Sequence, residues 1–275
     1  VTFGKRLVAS LDARGSLCVG IDPHAALLSA WGLSDDPAGL ARFAEICVAA
    51  FADTAAVVKP QSAFFERFGA AGIAVLERTV AATRDAGALV LLDVKRGDIG
   101  STMGAYAQAY LDPAAPLAVD AITASPYLGV GSLQPVFDLV EEHAAGAFVL
   151  AATSNPEGPQ VQHARTAANR SVAQTVVDEI AARNAGAEPL GSLGVVVGAT
   201  IEAGVLDVAA LNGPILAPGV GAQGGTAEDV RQIFGAALPS VVPAVSREVL
   251  RHGPDTRALR SAVGRLVEEF AFLRG

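Results

Sequence analysis

Charge and aromatic side chains are scarce in this chain. Charged residues make up 17% of the 275 positions and aromatic ones 5%, with one Trp and one Met. So few aromatics leave few platforms on which bases could stack. A basic excess is missing too. Lys and Arg number 20 against 28 Asp and Glu, the net charge is −8, and the pI is about 5.0. That disfavours a general nucleic-acid binder, which carries a basic face. An acidic chain can still hold a phosphorylated metabolite at one local cationic site. Cysteine is limited to Cys18 and Cys47, in apolar settings far from each other and from any His pair. They read as buried thiols of a reducing compartment, not as a disulfide or metal site. No His-x-x-x-His pair or Cys/His cluster supports zinc. Long apolar runs are absent as well, although mean hydropathy is +0.41. The longest uncharged stretch, 208–227, is broken by Asn212-Gly213-Pro214 and by Pro218-Gly219, so it cannot be one spanning helix. No apolar leader segment follows Val1-Thr2-Phe3-Gly4-Lys5-Arg6, so a cytoplasmic protein is expected.

The chain is 51% hydrophobic, which rules out disorder. Short Val/Leu/Ile-rich runs recur at 17–21, 56–59, 89–93, 121–124, 147–152, 194–198, 215–217 and 240–245. Each is continuous rather than alternating, as expected of a parallel strand covered on both faces. Their mean spacing is about 32 residues, close to one strand–helix unit. Helical patterns fill the gaps. Asp36-Pro37 reads as an N-cap with Pro at the first helical position, opening a helix to about 53. A second helix is expected over 72–86 with Gly87 at its end. A third is expected over 98–111, and a longer one over 167–184. Eight such units without a low-complexity linker predict an α/β chain folded as a single (β/α)8 TIM barrel, one catalytic domain over 1–275. An open doubly wound sheet is the rival. Barrel active sites lie at the C-terminal ends of the strands.

Polar residues gather at those ends. The first run ends Ile21-Asp22, the second Val58-Lys59-Pro60-Gln61, the third Asp93-Val94-Lys95-Arg96-Gly97-Asp98, and the eighth Ser246-Arg247. Unpaired buried charge is expensive, so charges at three successive strand ends need a reason. Asp93 and Lys95 are two apart and share one face of an extended strand. Thr102 lies four residues after Asp98, over the same helical face. Carboxylates on either side favour the ammonium form of Lys95. With Lys59 this predicts an alternating Lys–Asp–Lys–Asp array. A structural salt-bridge layer is the bland alternative. Mg²⁺ held by the carboxylates is another, opposed by the interleaved ammonium groups. Gly219-Val220-Gly221-Ala222-Gln223-Gly224 is formally G-x-G-x-x-G. A dinucleotide site would also need an acidic residue about 20 positions on, and position 244 is Ala. The loop reads instead as a flexible phosphate-side loop, with Arg247 as a fixed fork for the dianion. Ser154 has no G-x-S-x-G elbow, so it reads as a hydrogen-bond contact rather than a nucleophile. His24 reads as a solvated loop histidine.

The run Asp93 to Ile99, with Lys59 before it and the 218–225 loop before Arg247, resembles the orotidine 5′-phosphate decarboxylase family. The resemblance covers Gly20 to about Leu250. Pro60-Gln61-Ser62-Ala63-Phe64-Phe65-Glu66 and Ser125-Pro126-Tyr127-Leu128-Gly129 are similar to its longer bacterial branch. The resemblance implies cofactor-free decarboxylation of orotidine 5′-monophosphate to uridine 5′-monophosphate, in pyrimidine biosynthesis. Lys95 would protonate C6, Asp93 would sit against the substrate carboxylate, and Lys59 and Asp98 would complete the array. Asp22, Lys59 and Thr102 would touch ribose hydroxyls, Ser154 the pyrimidine, and Gln223 and Arg247 the 5′-phosphate. Asp98, Ile99 and Thr102 would reach into the other subunit's site, making the working unit a homodimer with shared sites. Neither a nucleic acid nor a membrane is an expected partner.

The chemistry is consistent with that implication. Loss of CO2 from C6 leaves an electron pair that no ring carbonyl delocalises, and no cofactor motif supplies an electron sink. Preorganised electrostatics must then stabilise it. Three other readings stand beside this one. A Mg²⁺-dependent sugar-phosphate decarboxylase or synthase of the same superfamily would carry an acid where Lys59 stands. A Schiff-base aldolase needs a lysine of lowered pKa. A non-catalytic phosphate-ligand sensor would bind without turnover.

Overall fold

In the computed structural model, which describes residues 1–275, eight parallel strands close into a barrel in chain order. They are β1 (Cys18–Ile21), β2 (Val57–Pro60), β3 (Leu89–Arg96), β4 (Ala121–Ala124), β5 (Gly146–Ala152), β6 (Leu193–Val197), β7 (Ile215–Pro218) and β8 (Val241–Val245). Pairing of Cys18 with Ala244 and Val19 with Val245 shuts the ring. All eight apolar runs are strands, and the closed ring excludes the open sheet. Most are buried along their whole length, which is why their sequences do not alternate.

The helices follow their local signals. Asp36 caps the helix Pro37–Phe51 by accepting from the amides of Ala38 (3.0 Å) and Gly39 (2.8 Å). The helix Gly69–Asp85 ends at Gly87 in a left-handed conformation (φ 90°) that glycine adopts freely. Two expected starts shift. The long helix after β5 is Val172–Arg183, because Ser171 rather than residue 167 supplies the cap. The helix after β3 is Gly100–Leu111 and is flanked by Ile99. Asp98 therefore precedes the helix and shares no helical face with Thr102.

The barrel has a floor. Phe3, Leu7 and Leu11 of the first helix, Phe3–Arg14, pack against inward-facing Val57, Leu91, Phe148 and Leu216 in a core of 13 buried residues. Burying each such side chain stabilises by about 1.5–3 kcal/mol. The Phe3 and Phe148 rings meet edge to face at 6.2 Å. A Cβ on Gly146 would lie 2.4 Å from the Phe3 ring, so only glycine fits there. Arg6 pairs with Asp120 and donates to the Ala144 carbonyl, while Arg14 donates to the carbonyls of Ala52 and Ala55. The second core, 66 residues, lies between the strands and the outer helices. With the floor closed, the polar strand ends open only at the opposite face.

Candidate active site

At that face the inward positions turn from apolar to charged. Lys59 on β2 donates from Nζ to Asp93 Oδ2 at 3.0 Å. Lys95 donates from Nζ to Asp93 Oδ1 at 2.6 Å. Gln61 Nε2 donates to Oδ2 (3.0 Å) and Thr123 Oγ1 to Oδ1 (2.9 Å). Four donors thus converge on one buried carboxylate. Burial would push Asp93 up, but the two ammonium groups reverse this and hold it well below the usual carboxylate range. Burial would likewise push Lys59 down, and the carboxylates of Asp93 and Asp22 hold it above its ordinary value. Cys18, on the same inner wall, is pushed up to about 12 by burial and stays a thiol.

Lys95 reaches Asp93 by a different route from simple alternation. Its backbone is left-handed (φ 43°), and the β3–β4 register shifts between Leu92 and Arg96. A bulge of this kind re-aims a side chain. The Lys95 side chain remains 47% exposed, whereas those of Lys59 and Asp93 are 10% and 8% exposed.

A cavity of about 580 Å³ opens over this row, lined by Asp22, Asp93, Lys95, Arg96, Gln223 and Arg247 among others. A smaller recess between Lys59, the 218–223 loop and Ser246-Arg247 continues it. The glycine loop folds on itself. Gly219, Gly221 and Gly224 are left-handed (φ 102°, 73° and 94°), and the Gly225 amide donates to the Gly219 carbonyl at 3.0 Å. Arg247 starts the one-turn helix Arg247–Leu250. Its guanidinium makes no ion pair or side-chain hydrogen bond, nor does the Gln223 amide. Asp22 Oδ1 and Ser246 Oγ are buried without a partner beside them. Buried polar atoms are nearly always satisfied, so orphans at a cavity wall point to a polar ligand.

A family model described as "Orotidine 5'-phosphate decarboxylase / HUMPS family" matches residues 15–262. The chain belongs to this family. A Salinispora arenicola protein named orotidine 5′-phosphate decarboxylase is 63% identical over 268 residues, covering 98% of this chain and 96% of its own. A Streptomyces coelicolor protein of the same name is 61% identical, covering 97% and 96%. Among solved structures, one from Streptomyces avermitilis is 60% identical with a TM-score of 0.96, covering 99% of this chain and 95% of that one. The Leishmania donovani OMP decarboxylase is 30% identical with a TM-score of 0.78, covering 100% and 99%.

Within this family member, the cavity brings together Asp22, Lys59, Asp93, Lys95, Gln223 and Arg247. Four expected residues stay outside it. Asp98 turns its carboxylate to its own backbone, accepting from the Ile99 amide at 2.8 Å. Ile99 is 62% exposed, and Thr102 is exposed on the outer turn of its helix. Ser154 is exposed on the loop after β5. His24 is not simply solvated. It is half-buried, packs at a tilt against Phe64 with 4.2 Å between ring centroids, and helps line the cavity.

Gln61 and Ser246 also line the site and Thr123 supports it from beneath, none of which the sequence had marked out. Nor had it marked out the pair between Arg96 Nη2 and Glu66 Oε1 at 2.6 Å, where Ser62 Oγ also donates to Glu66 at 2.6 Å. A hydroxyl in the otherwise apolar run 121–124 was the available signal for Thr123.

Proposed function

We propose that the chain decarboxylates orotidine 5′-monophosphate to uridine 5′-monophosphate without a cofactor, in the cytoplasm, as a homodimer. The bond from C6 to the carboxylate carbon breaks, CO2 leaves, and the electron pair stays on C6. Lys95 stabilises that charge and delivers its proton to C6, and water then reprotonates the amine. Asp93 faces the substrate carboxylate and anchors both lysines. Asp22 and Lys59 bind the ribose hydroxyls, Ser154 the pyrimidine, and Gln223 and Arg247 the 5′-phosphate. Asp98, Ile99 and Thr102 serve the partner's site.

One observation carries this reading. The Lys95 ammonium is anchored 2.6 Å from a buried carboxylate while nearly half its side chain opens into the cavity. A fixed charge aimed at a developing anion is the largest single means of stabilising one. The unpaired guanidinium of Arg247 supports a dianion at the other end, where binding energy can position the reacting ring. Exposed Ile99, and an Asp98 carboxylate that makes no contact with the Lys59–Asp93–Lys95 row of its own chain, support sharing with a second copy.

The test follows loss of orotidine 5′-monophosphate absorbance with chelator-treated protein. Lys95→Ala should lower kcat by about 10³-fold or more, while uridine 5′-monophosphate still binds measurably. Near-normal turnover in that variant ends the assignment of Lys95. Turnover by the parent only when Mg²⁺ is restored ends the cofactor-free reading.

A further inference from the structure

Thr123 is 1% exposed and lies under the site rather than in it. Its neighbourhood is irregular. Leu92 pairs with Ile122 and Arg96 with Ala124, so Asp93, Val94 and Lys95 all stand opposite the single residue Thr123. Each of the three bonds to its hydroxyl. Oγ1 accepts from the Val94 amide at 3.0 Å and the Lys95 amide at 2.9 Å, and donates to Asp93 Oδ1 at 2.9 Å. Lys95 holds the left-handed φ of 43° within this turn. Such a conformation is unfavourable for a lysine and persists only where the surroundings over-determine it.

From this we infer that Thr123 is a positioning residue for the Lys95 ammonium. The inference rests on the reading of Lys95 as proton donor. The hydroxyl gathers two successive amides, which fixes the backbone from which the Lys95 side chain departs. The same hydroxyl fixes the oxygen of Asp93 to which the ammonium is bonded. Both ends of the lysine are therefore set by one atom. A β-branched residue suits the task because its χ1 is stiff. Without the hydroxyl, two amides and one carboxylate lone pair lose their partner. The three-residue bulge must then relax, carrying Nζ away from its place. Misplacement by about 1 Å can cost about 10²-fold in rate. Thr123 itself does not line the cavity and stands behind the residues that do, so ligand binding should be spared.

The experiment compares Thr123→Val, Thr123→Ser and Lys95→Ala by steady-state kinetics and by titration with uridine 5′-monophosphate. Thr123→Val should lose about 10²-fold in kcat, with KM and product affinity within about threefold of the parent. Thr123→Ser, which keeps the hydroxyl, should stay within about threefold in kcat. If the valine protein does not fold, Thr123→Cys, of similar size with a poor acceptor, takes its place with the same expectation. A kcat within threefold of the parent for the valine or cysteine variant overturns the inference. So does a loss of product affinity as large as the loss of kcat, which marks collapse of the site instead of misplacement. Retained turnover in Lys95→Ala removes the proton-donor reading and this inference with it. A dead Lys95→Ala beside a normal Thr123→Val removes this inference alone.

Discussion

Replacing Asp93 by Asn removes the charge shared by Lys59 and Lys95 and keeps the shape. The two lysines differ in what they can do next. Lys95 can swing into the cavity. Lys59, with a side chain 10% exposed, cannot leave. At 3.0 Å and an effective dielectric of about 20, the lost attraction is roughly 5 kcal/mol. Breaking a buried pair by removing one partner costs about 3–5 kcal/mol. Each kcal/mol moves the Tm of a chain near this length by about 2–4 °C. Asp93→Asn should therefore melt roughly 6–20 °C below the parent. Lys95→Ala leaves Asp93 paired with Lys59 and should cost about 1 kcal/mol or less. Both variants should be inactive, so activity and stability separate.

The pH dependence gives a second readout with a definite sign. Asp93 lies below its ordinary 3.8, so its contribution holds above that pH and is lost only as pH falls through the lower folded value. Lys59 lies above its ordinary 10.5, so its contribution holds below that pH and is lost as pH rises through the higher folded value. The parent's Tm should thus gain or lose nothing from this row between about pH 5 and 9. In Asp93→Asn the burial of Lys59 is no longer opposed by that carboxylate. With only Asp22 left to favour the ammonium, burial should carry Lys59 below its ordinary value, and stability should rise from pH 7 toward 10. A variant that melts at or above the parent, with no rise toward alkaline pH, would refute this account of the row.

Two further outcomes follow from the cavity. Arg247→Ala should raise KM about 10–100-fold, as expected for lost hydrogen bonds to a charged group, with a smaller change for the unphosphorylated nucleoside; an unchanged KM removes Arg247 from phosphate binding. Mixing inactive Asp98→Ala and Lys95→Ala proteins should restore about a quarter of parental activity, because half the dimers then carry one intact shared site; no recovery after verified subunit exchange argues that each site is built from one chain.

The barrel was legible because buried parallel strands leave continuous apolar runs, and eight of them at regular spacing leave few ways to fold. The charged ends were legible because charge at a strand terminus is costly to ignore. Asp93 and Lys95 were paired correctly on a rule that does not operate here. Alternation assumes a regular strand, whereas the bulge and the left-handed Lys95 bring them together. Asp98 was assigned to a helical face because sequence periodicity cannot fix a start to within two residues. The bonds of Gln61 and Thr123 to Asp93 were not legible. They run between side chains across strands, and such register exists only once the ring has closed.

The packed floor of the barrel has a consequence for traffic. With the Phe3 ring filling the space beside Gly146, the vessel has a single doorway. Nucleotide must enter, and gas and product must depart, by the same rim. Anything that narrows that rim, whether a ligand's phosphate drawing in the 218–225 segment or a second copy leaning over Ile99, governs arrival and departure together.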